Sequence, residues 1–211
     1  MSDFDGDYTH PGPSGAETYS AQALARCVRE VADHVDAGGW GQPPQMFALV
    51  PTAALAAAEP DLLDQLEDGA ELTPVEQEPF PEDVGGGSPA LDEFLATTSW
   101  PAGVVGCVLV QEIVVLPPDA ASALDSAVAP VLADEHAADE MARATAGAHP
   151  ERRDARLIAA VLRDGPSACV LALKPDEDDP DAEPELLTHE DLAPNLVNAL
   201  YATFDVTDDD W

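Results

Sequence analysis

Along the first third of the chain the apolar residues fall into a helical rhythm. Leu24, Val28, Val31 and Val35 recur every three to four positions, while Arg26, Arg29, Glu30 and Asp33 occupy the other faces. That spacing predicts an amphipathic helix from about Glu17 to Asp36, stopped by Gly38-Gly39. The rhythm then changes. Met46 to Val50 is a short continuous apolar run closed by Pro51, the pattern of a buried strand. Thr52 stands where it would cap a short Ala-rich helix over Ala53 to Ala58, and a second helical piece is expected over Asp61 to Leu66 after Pro60. Glu71 to Pro79 reads as an edge strand, because Pro74 removes a ladder donor. Ser88-Pro89 opens a helix through Leu91, Phe94 and Leu95.

The densest strand signal is Gly103 to Leu116, rich in Val and Ile, with Gly103 and Gly106 as sites of a bulge or a close backbone approach. Gln111-Glu112 interrupts it, and a charge inside a strand buried on both faces is costly, so the strand is expected to reach an edge or bend there. Helices are predicted over Ala120 to Val131 and Glu135 to Thr145, separated near Pro130. Arg156 to Leu162 and Ala168 to Leu173 flank the loop Asp164-Gly165-Pro166-Ser167, which is a β-hairpin pattern. Leu192, Leu196, Leu200 and Phe204 step along one face of a terminal helix, with Thr188 and Asp191 as a capping-box-like start and Pro194 in its first turn.

Together these elements predict an α+β fold: an antiparallel or mixed central sheet with a β-hairpin near 156–174, flanked by N-terminal, middle and C-terminal helices. The expected organisation is a disordered acidic arm over 1–15, one α+β domain over 16–204 containing an acidic loop at 176–187, and an acidic tail over 205–211. Residues 176–185 alone carry seven acids in ten positions. No repeat of fixed period is present.

Charge narrows the possible partners. The 211 residues hold 42 Asp and Glu against 8 Lys and Arg, a formal net charge of −34, and no Lys or Arg lies between Glu30 and Ala142. Such a surface repels phosphate, which argues against nucleic-acid binding by counterion release and against anionic membranes. It attracts basic proteins instead, although an acid-biased, high-GC proteome produces the same composition without any partner; Lys174 as the lone lysine beside seven arginines fits that bias. Cys27, Cys107 and Cys169 are odd in number and contain no CxxC pair, which predicts buried thiols rather than disulfides or a zinc site. The N-terminus has no signal-peptide pattern, and no apolar run is long enough to span a bilayer, so a cytoplasmic protein is expected.

Five of the eight positive residues lie between Arg143 and Arg163, with His149 among them. Guanidinium groups match carboxylate and phosphate, so Arg152, Arg156, His149 and Arg143 are the candidate anion-binding residues; pairing with the chain's own acids is the competing role. On a helix, Asp134 to Glu140 would place His136 and Glu140 on one face, but this is not a HExxH motif and no metal site is assigned. Neither a GxSxG nor a P-loop is present; Gly85-Gly86-Gly87 is not followed by Lys and Ser or Thr. No catalytic residue and no cofactor are assigned.

Several phrases in order carry a resemblance: Gly39-Trp40-Gly41-Gln42-Pro43-Pro44, Phe47-Ala48-Leu49-Val50-Pro51-Thr52, Leu72-Thr73-Pro74-Val75-Glu76-Gln77, Trp100-Pro101, Leu116-Pro117-Pro118, His149-Pro150 and Val161-Leu162-Arg163-Asp164-Gly165. Over roughly residues 20–204 the chain resembles a family of small acidic actinobacterial proteins of unknown function. The resemblance implies a high-GC bacterial, cytoplasmic setting and supplies no catalytic residues. The functional expectation is therefore a non-enzymatic protein-binding or regulatory module whose partner is another protein, possibly with a basic surface. The alternative is a small-anion-binding protein or enzyme using the Arg143–Arg163 region.

Overall fold

A computed structural model describes residues 19–61, 66, 69–116, 145, 148–150, 152–175, 185–188 and 192–205. The N-terminal arm, the helices expected over Ala120 to Val131 and Glu135 to Thr145, the Asp134–Glu140 segment and most of the acidic loop and tail lie outside the described residues.

Helix α1 spans Ala21–Ala37, and the Ser20 side chain accepts from Ala23 N–H at 3.1 Å to cap it. Its buried stripe is the predicted one, Leu24, Val28, Val31 and Val35, extended by Ala23 and Cys27. Strand β1 (Gln45–Pro51) runs into helix α2 (Thr52–Ala58). Thr52 does not cap α2: Pro51 holds that position, and the Thr52 hydroxyl instead lies 2.9 Å from that of Thr73. Strand β2 (Leu72–Glu76) and helix α3 (Pro89–Thr97) follow, the latter capped by Ser88 as expected. Strands β3 (Gly106–Val115), β4 (Arg153–Leu162), β5 (Ser167–Leu173) and β6 (Glu185–Thr188) and helix α4 (Pro194–Ala202) complete the order.

The six strands form one wholly antiparallel sheet in the order β2-β1-β3-β4-β5-β6, so the fold is α+β. The predicted hairpin is β4–β5, with β4 starting three residues earlier than its apolar run. β6 overlaps the end of the stretch expected to be a loop, 176–187, and Thr188 pairs with Val170 rather than opening a helix; α4 begins after Ala193 with no side-chain cap. Glu185 to Thr188 is too short to show an alternation of its own, and only pairing with β5 makes it a strand.

The edge expected at Gln111-Glu112 is present on one side: the β1 ladder ends at Val110, and from Gln111 onward β3 pairs with β4 alone. β3 is central, and these residues pair with Leu157 and Arg156 in β4. Their polar groups are compensated rather than solvated: Gln111 Oε1 accepts from Gly87 N–H at 2.6 Å, and Glu112 is held as described below. Gly106, by contrast, marks the close approach its type suggested, since a Cβ there would sit 2.6 Å from the Val161 carbonyl oxygen.

Alternate residues of the central strands point to opposite faces. One face packs Phe47, Leu49, Val108, Val110, Ile158 and Ala160 against α1. The other packs Met46, Cys107, Leu109, Ala159 and Val161 against α3 and α4, with Leu91, Leu95 and Leu200 fully buried between them. Trp100 closes the rim of this second layer, stacked on Phe204 and donating to the Thr203 hydroxyl at 2.9 Å.

All three cysteines are free and buried, as their apolar settings predict. Burial pushes the Cys107 thiol from its ordinary 9.0 up to about 12, against a smaller opposing effect from its hydrogen bond with the Thr203 side chain. A raised thiol pKa means that the folded state keeps a proton that the unfolded state loses. Its stabilising contribution is complete below the unfolded pKa near 9.0 and disappears as pH climbs toward 12. The expected slope is about 1.4 kcal/mol of stability lost per pH unit in that window. Urea titrations at pH 8 to 10.5 on the wild type and Cys107→Ala measure it; the variant should lose this part of the alkaline decline.

Candidate binding cleft

The sequence places its arginines close together, but extended backbone separates them. β4 is ten residues long, and at about 3.4 Å per residue Arg153 and Arg163 stand roughly 34 Å apart. At the far end, Arg163 Nη2 donates to the Trp100 and Pro101 carbonyls at 3.1 and 3.0 Å and its guanidinium lies 4.8 Å from the Phe204 ring. At the near end, His149 and Arg152 share a turn, with Arg152 N–H donating to the His149 carbonyl at 3.2 Å. Arg152 is exposed and His149 half-buried. Arg143 lies outside the described residues.

Arg156 is enclosed, at 1% exposure the largest fully buried side chain among the described residues. Its Nη1 donates to an Asp36 carboxylate oxygen at the C-terminal end of α1. Nη2 donates to the Gly39 carbonyl at 2.5 Å and reaches Glu112 Oε1 at 3.4 Å. The planar guanidinium lies 4.5 Å from the centroid of the Trp40 ring, and Lys174 Nζ approaches the same ring at 5.9 Å. Arg156 Nε makes no hydrogen bond.

The local backbone is shaped to the same carboxylate. Gly41 adopts φ +86°, a left-handed conformation that costs a glycine little, and this turns its N–H toward Glu112. Gly41 N–H lies 2.9 Å from both Glu112 oxygens and Gln42 N–H 3.2 Å from Oε1, a small anion nest filled by the protein's own side chain. The Gln42 side chain adds bonds to the Val35 and Gly39 carbonyls at 2.9 and 2.6 Å. Glu112, Arg156, Asp36 and Trp40 thus fasten the end of α1 and the loop after it to the middle of the sheet. Asp36, Trp40 and Glu112 gave no sequence signal of this role, because each lies 44 residues or more from Arg156 in sequence.

This lock stands at one end of an open cleft of about 850 Å³. Its origin is geometric. Six strands about 4.8 Å apart make a sheet roughly 24 Å wide, whereas a helix about 10 Å across covers about two strands. Among the described residues α1 is the helix on its face of the sheet, and the β5–β6 side is left open. The floor is apolar: Ile158, Ala168, Val170, Ala172 and Leu186. One wall is the flank of α1, where Ala25, Val28 and Ala32 alternate with the charges of Arg29, Asp33 and Asp36. Arg29 and Asp33 are exposed. The size falls within the range typical of ligand sites, and Ser167, Cys169 and Thr188 also line the cleft. The three thiols are buried, and nothing described in the cleft pairs a nucleophile with a base.

A family profile described as PPA1309-like protein matches residues 24–205. The chain belongs to the PPA1309-like family. The matched span of this PPA1309-like chain runs from within α1 through α4 and includes every strand of the sheet. No curated protein and no solved structure matches it. Among the described residues of the PPA1309-like chain, no helix is long and apolar enough to cross a membrane.

Proposed function

We propose that the protein is a non-enzymatic, cytoplasmic protein-binding module, and that a segment of its partner lies in the cleft between α1 and β4–β6. The observation that carries this reading is the cleft itself: an open, apolar-floored surface rimmed by exposed charge, with no catalytic grouping described in it. The charge of −34 favours a partner with a basic surface and predicts association that weakens with salt. The Arg156 lock supports the reading mechanically, since it fixes α1 as a rigid wall and so reduces the ordering cost of binding.

The test is affinity capture from host extract at low ionic strength with the wild type and with Leu186→Glu. Leu186 is 63% exposed, so its substitution leaves the core intact. A partner recovered by the wild type should be lost with the variant and at high salt. Equal recovery by both proteins, or none by either, overturns the reading.

A small anion held near Arg152, Arg156 and His149 is the second reading, supported by the unbonded Arg156 Nε. In the same preparations inorganic phosphate would then raise the melting temperature of the wild type and not of Arg152→Ala.

A further inference from the structure

The two edges of the sheet are not equivalent. β2 carries Pro74 at its centre, opposite Leu49. A proline inside an edge strand directs its missing donor outward, so that edge cannot form a continuous ladder with another chain. β6 contains no proline, and among the described residues no strand pairs with its outer side. Leu186 and Leu187, at 63% and 42% exposure, are the most exposed of its large apolar residues, and as neighbours in a strand they point to opposite faces. A ligand resting on one face would cover one of them. A strand added alongside β6 would cover both, since directly opposed side chains stand about 4.5–5.5 Å apart.

Resting on the protein-binding reading above, we infer that the partner segment is extended and cationic, and that it adds to the outer edge of β6 as a seventh strand. Charge selects this occupant over a second copy of the same chain. Two copies would bring formal charges of −34 together across a strand only four residues long. A strand with apolar residues opposite Leu186 and Leu187 and Lys or Arg on either side meets the same edge with opposite charge. Side chains on its α1-side face would extend the cleft floor beyond Leu186 and Thr188, which both line it.

The probe is an eight-residue peptide with two adjacent valines at its centre and lysines outside them, added to the full chain at low salt. Two controls accompany it: the same peptide with alternate backbone amides N-methylated, and one with glutamate replacing lysine. Binding is read by fluorescence anisotropy, and hydrogen exchange of the amides of residues 185–188 by NMR. The expected result is at least tenfold slower exchange at the outward-pointing β6 amides and at least tenfold weaker binding of both control peptides. Equal binding of the N-methylated peptide would show attraction by charge alone and overturn strand addition. Absence of peptide binding would overturn it as well. If a host partner is nevertheless captured by the wild type and lost with Leu186→Glu, the cleft reading survives that failure; if no partner is captured, both fall.

Discussion

Replacing Arg156 with methionine should destabilise the protein by about 3 kcal/mol, read as a lower urea midpoint at unchanged slope. The side chain is 1% exposed, and its removal leaves the Glu112 carboxylate, 22% exposed, facing the core side of the turn without its cation. It also takes a donor from the Gly39 carbonyl and a cation from the Trp40 face. The expected loss sits at the low end for a broken buried pair because Asp36 is 47% exposed and can be hydrated when the arginine is gone. Glu112→Gln is the informative partner variant. It keeps an acceptor for the Gly41 and Gln42 amides while removing the charge, so it should cost less than Arg156→Met. If Arg156→Met proves neutral or stabilising, the lock is not a stability element and the rigid wall invoked for binding loses its basis.

The second large effect is expected at Leu109. This residue is fully buried on the face of β3 covered by α3 and α4, in one cluster with Leu91, Leu95 and Leu200. Leu109→Ala should cost about 2–5 kcal/mol, the lost transfer energy plus the cavity left between strand and helices. Leu186→Ala, at an exposed position of the same sheet, should change stability by no more than about 0.5 kcal/mol. Chemical unfolding of the two variants side by side separates core packing from the exposed edge. A small loss at Leu109 would mean that the α3–α4 layer collapses onto the cavity, and the two-layer description of the core would need revision.

The site was less legible than the fold. The arginine cluster drew attention because its members are close in sequence, yet an extended strand carries Arg153 and Arg163 to opposite ends of β4. Arg156 was singled out as an anion-binding candidate, and it pairs with the chain's own Asp36 and Glu112. Its neighbours were not, because Asp36, Trp40 and Glu112 reach it only after β3 and β4 pair and α1 packs across them. Glu112 is the instructive case. Its charge in an apolar run suggested an edge, and β1 does stop pairing at Val110; what the sequence did not show is that two backbone amides and a guanidinium take the place of water there. β6 was missed for a related reason, since four residues after an acidic stretch carry no periodicity until β5 supplies a ladder.

The sequence by itself determined what local pattern can encode: the amphipathic stripe of α1, the Ser88 cap of α3, the β4–β5 hairpin, the peripheral place of β2 and the burial of three thiols. These depend on side-chain spacing, on proline's missing donor and on apolar context, all of which can be read within a few residues. Only the assembled layers settle that β3 is central, that Arg156 is locked rather than open, and that α1 leaves the β5–β6 side of its sheet face open. Those outcomes are set by pairing register and by the width of a helix against the width of six strands, which are properties of the assembled layers and of no single segment.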